Sequence, residues 1–253
     1  MMSPNCLACL RTIALLVVSF ALPMCATRAD VVYDNDFDGN VETMPDVGVT
    51  ISGGVGETDG EVGGVVDSQL YSAVPQFGGD FWRVTTPDDV LQFEFNGVPV
   101  GYFLTIEFSL AVIDSWDGSS GAPHGPDLLE IEVLDGATQK VNWTENLSGG
   151  ATPANNVKST LVLNQDLGFT QGGAAETWWL DDGNRMRFEN IQMDSDTLTF
   201  RIQASGTGFV GGTDESFAID NLLIVAVPEP SVLLPCWGIA CMVTCRRRRR
   251  NKQ

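Results

Sequence analysis

Between residues 30 and 227 the chain has no cysteine: its six cysteines, Cys6, Cys9, Cys25, Cys236, Cys241 and Cys245, all lie in the two end segments. A thiol catalyst, a cysteine-ligated zinc and a disulfide framework are therefore excluded from the body, even in an oxidising compartment. Histidine is almost as scarce. The single one, His124, stands in Gly121-Ala122-Pro123-His124-Gly125-Pro126, a loop with no patterned nucleophile beside it, and reads as a solvated loop residue. Basic side chains are few as well: six fall in the body against 32 acidic residues, a formal charge of −26. Such a surface repels nucleic acid and anionic polysaccharide and attracts divalent cations. Missing too is any sustained 3.6-residue apolar period with caps, which removes helices from the expected architecture.

What is present is alternation. Tyr102, Leu104, Ile106, Phe108, Leu110 and Val112 alternate with Phe103, Thr105, Glu107, Ser109 and Ala111, which puts one apolar face on a core and predicts a long central strand over 101–113. The same period of two runs through Leu91 to Phe95, Leu129 to Val133 and Leu198 to Ile202, and Phe217 to Val225 is a further strand with a nearly continuous apolar end. Turn signals such as Gly78-Gly79-Asp80, Asn96-Gly97, Asp135-Gly136 and Asp182-Gly183 separate them, since glycine takes positive φ and Asx side chains bond their own backbone. The glycine-rich Gly48 to Gly64 reads as a loop or edge hairpin. Disorder is the usual fate of so acidic a chain, but this body holds enough Val, Ile, Leu, Phe and Trp for a packed core. The expected fold is all-β, a single β-sandwich of jelly-roll type over 30–226.

Three acidic clusters stand out. Asp34-Asn35-Asp36-Phe37-Asp38-Gly39 has the spacing that brings alternate carboxylates round a cation, yet it is not an EF-hand: loop position twelve is Pro45 and flanking helices are absent. The bland alternative has Phe37 entering the core while Asp38-Gly39 turns the chain. Asp114-Ser115-Trp116-Asp117-Gly118 follows the long strand, with Asp127 ten residues past Asp117. Oxygen ligands leaving one strand and returning at the next suit calcium, although an acidic turn with Trp116 packed on the sheet edge reads equally from the residues. In Asp214-Glu215-Ser216-Phe217-Ala218-Ile219-Asp220-Asn221, Asp220 interrupts an apolar strand, and a buried carboxylate must be paired or coordinated.

Catalytic patterns are thin. Paired carboxylates could serve a glycoside hydrolase, and Glu130 and Glu132 share a strand face, but so does any exposed face, and no Glu-x-Asp-x-x-Glu pattern is present. Trp116, Trp143 and Trp178-Trp179 are candidates for stacking on a sugar; neighbours on a strand point to opposite faces, so at most one of Trp178 and Trp179 is available, and core packing is the competing reading for all. Asn142-Trp143-Thr144 and Asn146-Leu147-Ser148 are acceptor sequons by pattern only.

The two ends carry addresses. Arg11, the apolar run Thr12 to Leu22 and the small residues Ala26 and Ala29 form a secretory signal peptide over 1–29, with cleavage after Ala29. Leu22-Pro23-Met24-Cys25 lacks the small residues of a lipoprotein box. At the other end Pro228-Glu229-Pro230 is followed by an apolar run from Val232 to Cys245 and by Arg246 to Arg250. Those 14 apolar residues give about 21 Å of helix at 1.5 Å per residue, short of the roughly 30 Å hydrocarbon core, and snorkelling arginines lengthen it. The arginines hold their flank on the cytoplasmic side.

This three-part tail, 227–253, resembles the PEP-CTERM sorting signal of bacterial envelope proteins. The resemblance implies export, transient anchoring in the inner membrane, and processing by an exosortase-type membrane transpeptidase; an ordinary uncleaved anchor is the alternative. In the body, the Asp114 to Gly118 cluster, Pro126-Asp127, Asp135-Gly136 and Phe217-Ala218-Ile219-Asp220-Asn221 are similar to secreted bacterial jelly-roll domains of the concanavalin-like or carbohydrate-module kind. That resemblance implies a structural calcium tying the first strand's turn to the last strand, with Asp38 and Asp220 at one ion and Asp114, Asp117 and Asp127 at a second. The expected function is a non-enzymatic structural or adhesive role at the cell surface or in the matrix, associated with exopolysaccharide. A calcium-dependent carbohydrate-binding module using Trp116, Trp178 and Trp179 is the alternative, and a glycoside hydrolase a more distant one.

Overall fold

The long alternating segment forms the strand on which the rest is built. The computed structural model describes residues 28–58, 61–66, 79–114, 116, 126–146, 178–180, 185–212 and 215–229. Within them run β1 (Asp30–Asn35), β2 (Val41–Thr43), β3 (Gly48–Ser52), β4 (Glu57–Thr58), β5 (Glu61–Val62), β6 (Gly64–Val66), β7 (Phe81–Val84) and β8 (Val90–Asn96). They continue as β9 (Tyr102–Asp114), β10 (Leu128–Asp135), β11 (Thr138–Asn146), β12 (Trp178–Leu180), β13 (Met186–Gln192), β14 (Thr197–Ser205) and β15 (Glu215–Pro228). No helix occurs among the described residues, and none there is long and apolar enough to cross a membrane. The signal peptide and most of the sorting tail lie outside them.

All pairings among the described residues are antiparallel. In the first sheet β9 and β15 lie side by side from Glu215 opposite Asp114 to Pro228 opposite Tyr102. β12 and β13 share the outer edge of β9. The other edge of β15 is shared by β7, opposite 217–219, and β1, opposite 222–226; β6 and β2 extend these outward. The second sheet has the order β11-β10-β14-β8-β3. β4 and β5 form a small hairpin, so the glycine-rich segment supplies an edge strand, β3, and that hairpin. Every segment singled out by alternation is a strand.

The apolar faces of the two sheets meet in one core. From the first sheet come Leu104, Ile106, Phe108, Leu110 and Ile224; from the second come Leu91, Phe93, Ile131, Phe200 and Ile202, all fully buried. Rings bridge the sheets: Phe108 lies 5.3 Å from Phe200 and Tyr33 5.2 Å from Phe95, centroid to centroid. Each fully buried apolar side chain of this size contributes about 1.5–3 kcal/mol. At one end the first sheet is covered on both faces, since Ser109 to Ile113 and Glu215 to Asp220 are buried without alternation. This explains the continuous apolar character of Phe217 to Ile219.

Residues Ala29–Glu229 form one compact unit. β15 stays paired through Pro228, two residues past the domain boundary expected at 226.

Candidate metal centre

β1 and β7 run along the same edge of β15 and leave a gap between them. The last partner of β1 is Asn35 opposite Leu222, and that of β7 toward the gap is Trp82 opposite Ile219. The turn after β1 and the residues before β7 therefore converge on Asp220 and Asn221. At the same point β15 carries a bulge: its register with β9 shifts between Asp220 and Leu223, and Asn221 is left-handed at φ 53°. Bulges re-aim side chains, and here the bulge carries the buried carboxylate.

The turn after β1 is built from its own side chains. Asn35 Oδ1 accepts from Phe37 N at 2.8 Å, an Asx turn that lets Phe37 take φ 56° and bury its ring. Asp36 Oδ1 accepts from the backbone of Asp38 at 3.1 Å and Asn40 at 3.2 Å, and its Oδ2 from Asn40 Nδ2 at 2.8 Å. Phe37 thus enters the core as the bland alternative had it, and the same turn presents Asp38 to the segment ahead of β7. Asp38 Oδ1 accepts from Asp80 N. A Cβ on Gly79 would lie 1.7 Å from Asp38 Oδ1, so only glycine admits the carboxylate there.

Asp220 is 1% exposed. Its Oδ1 accepts from Asn221 N at 2.6 Å and its Oδ2 from Asn221 Nδ2 at 2.8 Å. Burial pushes its carboxyl up to about 7; the carboxylates of Asp38 and Asp36 push the same way, while the Asn221 amide and the Arg185 charge oppose them. Arg185 donates to Asn221 O at 3.3 Å. Asp38 and Asp36 thus lie near enough to Asp220 for their charges to raise its carboxyl. The fold adds Asp36, which stood inside the first cluster, while Asp80, in a segment read only as a turn, reaches Asp38 through its backbone N–H. The donors are all oxygen, the chemistry of a hard cation. Among the described residues no three Asp, Glu, His or Cys side chains are placed to hold a metal by themselves.

The second expected ion group is elsewhere. Asp114 is opposite Glu215, five residues from Asp220 along β15 and so about 17 Å away. Asp127 is fully buried just before β10, and Asp117 lies outside the described residues.

The tryptophan platform needs correction at Trp116. Its ring is 1% exposed, its Nε1 donates to Ile113 O at 3.1 Å and Ser216 O at 3.0 Å, and it packs on Phe209 at 5.2 Å. A ring so enclosed cannot stack on a sugar. Trp143 is likewise core, at 2%. Trp178 and Trp179 lie on β12 opposite Val112 and Ala111. His124 lies outside the described residues. Glu130 and Glu132 do share the outer face of the second sheet, where Glu130 accepts from Gln203 at 2.7 Å and Glu132 from Arg201 at 3.0 Å.

No protein-family model matches the chain, and no curated protein matches it. Among solved structures it is similar to the enzymatically active domain of tailspike protein 4 from bacteriophage CBA120, with a TM-score of 0.29 and 9% identity over 79% of this chain. The chain spans 19% of that protein's length.

Proposed function

We propose that this protein is an exported, non-enzymatic component of a bacterial cell surface or extracellular matrix, sorted by its tail and associated with exopolysaccharide. The observation that carries the reading is the succession of Pro228-Glu229-Pro230, the apolar run Val232 to Cys245 and Arg246 to Arg250. Its partners are the inner membrane, transiently, and an exosortase-type transpeptidase. The two antiparallel sheets with one core support a β-sandwich of jelly-roll type. In it a calcium ion held by Asp38 and Asp220, with Asp36 beside them, ties the first strand's turn to the last strand. Support for the ion is the buried Asp220 carboxylate repelled by two others, an arrangement that a cation relieves.

Replacing Pro228-Glu229-Pro230 by alanines tests the sorting role in cells making the full-length chain. Membrane insertion persists, and the tail-free mature form disappears from mass spectra. An intact Gln253 on surface-located wild-type protein would establish a permanent anchor instead.

A further inference from the structure

We infer that the outer face of the second sheet is a binding surface for neutral polysaccharide. This deepens the reading above by naming where the protein would meet such a polymer. The register sets polar side chains in a row across five strands: Ser52, Gln92, Arg201, Glu132 and Asn142 stand opposite one another on β3, β8, β14, β10 and β11. At roughly 4.8 Å between strands the row spans about 19 Å. Alternation turns their neighbours Leu91, Ile131, Val133, Phe200 and Ile202 into the core, so this row faces outward. Beside it, Gln203 and Glu130 form a second row.

These side chains hold one another in place over a groove of about 490 Å³. Arg201 Nε donates to Gln92 Oε1 at 2.7 Å and its Nη1 to Glu132 Oε2 at 3.0 Å. Gln139 Nε2 donates to Glu132 Oε1 at 2.7 Å, Gln203 Nε2 to Glu130 Oε2 at 2.7 Å, and Ser205 Oγ to Glu130 Oε1 at 2.5 Å. Three of these contacts use one end of an amide and leave the other end uncommitted: the Gln92 NH₂ and the Gln139 and Gln203 carbonyls, beside the remaining guanidinium N–H groups of Arg201. A surface offering fixed donors and acceptors side by side matches hydroxyls, which are both at once. Among the described residues no aromatic ring lines the groove, so recognition rests on hydrogen bonds and not on stacking. Arg201 is committed to Glu132, and the surrounding body carries −26, so an anionic polymer is repelled.

The test is native electrophoresis of the full-length chain in mild detergent through gels containing dextran, mixed-linkage β-glucan or xyloglucan, with alginate as the anionic control. Retardation is expected in at least one neutral gel and not in alginate. Gln92→Ala and Gln203→Ala are each expected to weaken it roughly tenfold, the equivalent of one or two lost hydrogen bonds. Both should stay folded, with the melting temperature lowered by no more than a few degrees, about what one lost hydrogen bond removes. Asn96→Ala, on the same sheet face beyond the groove, should leave binding unchanged. The inference is overturned by migration unaffected in all three neutral gels, by retardation in alginate alone, or by neutral retardation that both glutamine variants retain. Tail processing, followed by mass spectrometry in the producing cells, is scored separately: processing lost with binding intact removes the sorting reading alone, and binding lost with processing intact removes this surface alone.

Discussion

Gln192 Nε2 donates to Glu229 Oε1 at 2.7 Å, so the central residue of the Pro-Glu-Pro motif is tied to the last residue of β13. Its neighbour Pro228 is still paired with Tyr102 of β9. The motif therefore begins inside the sheet, with no linker between the folded body and the residues that an exosortase would read.

From this follows a prediction about processing rate. A typical hydrogen bond contributes about 1 kcal/mol net, and under the sorting role proposed above Glu229 is freed before the motif is engaged. Gln192→Ala should speed appearance of the mature form in a pulse-chase experiment by up to about fivefold. Slower processing in the variant would mean that the contact presents the motif and does not restrain it.

Calcium should raise the melting temperature of the chain beyond the effect of sodium chloride at equal ionic strength. An ion that binds only the folded state adds about 2.7 kcal/mol at a hundredfold excess over Kd, whereas salt acts by screening alone. Asp220→Asn removes a buried charge, so in chelator it should melt higher than the wild type, and it should lose the calcium increment. Equal shifts with calcium and matched salt would remove the ion from the site.

Gly79→Ala probes the same site from the other side. A methyl group 1.7 Å from Asp38 Oδ1 must displace that carboxylate, so the variant should fold with reduced stability and show no calcium increment. A full calcium response in circular-dichroism melts would place the ligands away from Asp38.

Acid stability should depend on Asp135. Burial raises its carboxyl, but bonds from Ser195 Oγ at 2.6 Å, the amides of Asp194 and Ser195 at 2.8 Å, and Lys140 at 3.2 Å bring it below the usual carboxylate range. A depressed folded-state value means stability that is present above the unfolded value near 3.9 and lost as pH falls through the folded one. Asp135→Asn should lower stability at pH 7 by about 1–3 kcal/mol and flatten the acid limb below roughly pH 4 in urea melts. An unchanged acid limb would assign it to other carboxylates.

Phe200→Ala should cost about 3–5 kcal/mol, because this ring touches Phe93 in its own sheet at 6.0 Å and Phe108 in the other at 5.3 Å. A loss below about 1 kcal/mol by chemical denaturation would mean that the sheets do not depend on each other there.

The strands were legible in the sequence because a period of two is a local property: Leu91 to Phe95, Leu129 to Val133 and Leu198 to Ile202 announce their inward faces without knowledge of any partner. The acidic spacing around Asp38 and the acid within an apolar strand at Asp220 are also visible in one dimension, whereas their pairing at one ion was only what the resemblance implied. Which groups join them was not visible there. Asp80 meets Asp38 across 42 residues only because β1 and β7 divide one edge of β15 between them, and strand order is set by packing over the whole core. For the same reason Trp116, an acidic-turn tryptophan in sequence, is buried by the distant Ser216 and Phe209. Glu130 and Glu132 could be assigned to one face, but their neighbours Gln203 and Arg201 arrive through the order β11-β10-β14-β8-β3. Local alternation determined which side chains point outward; long-range pairing alone decided which of them stand side by side.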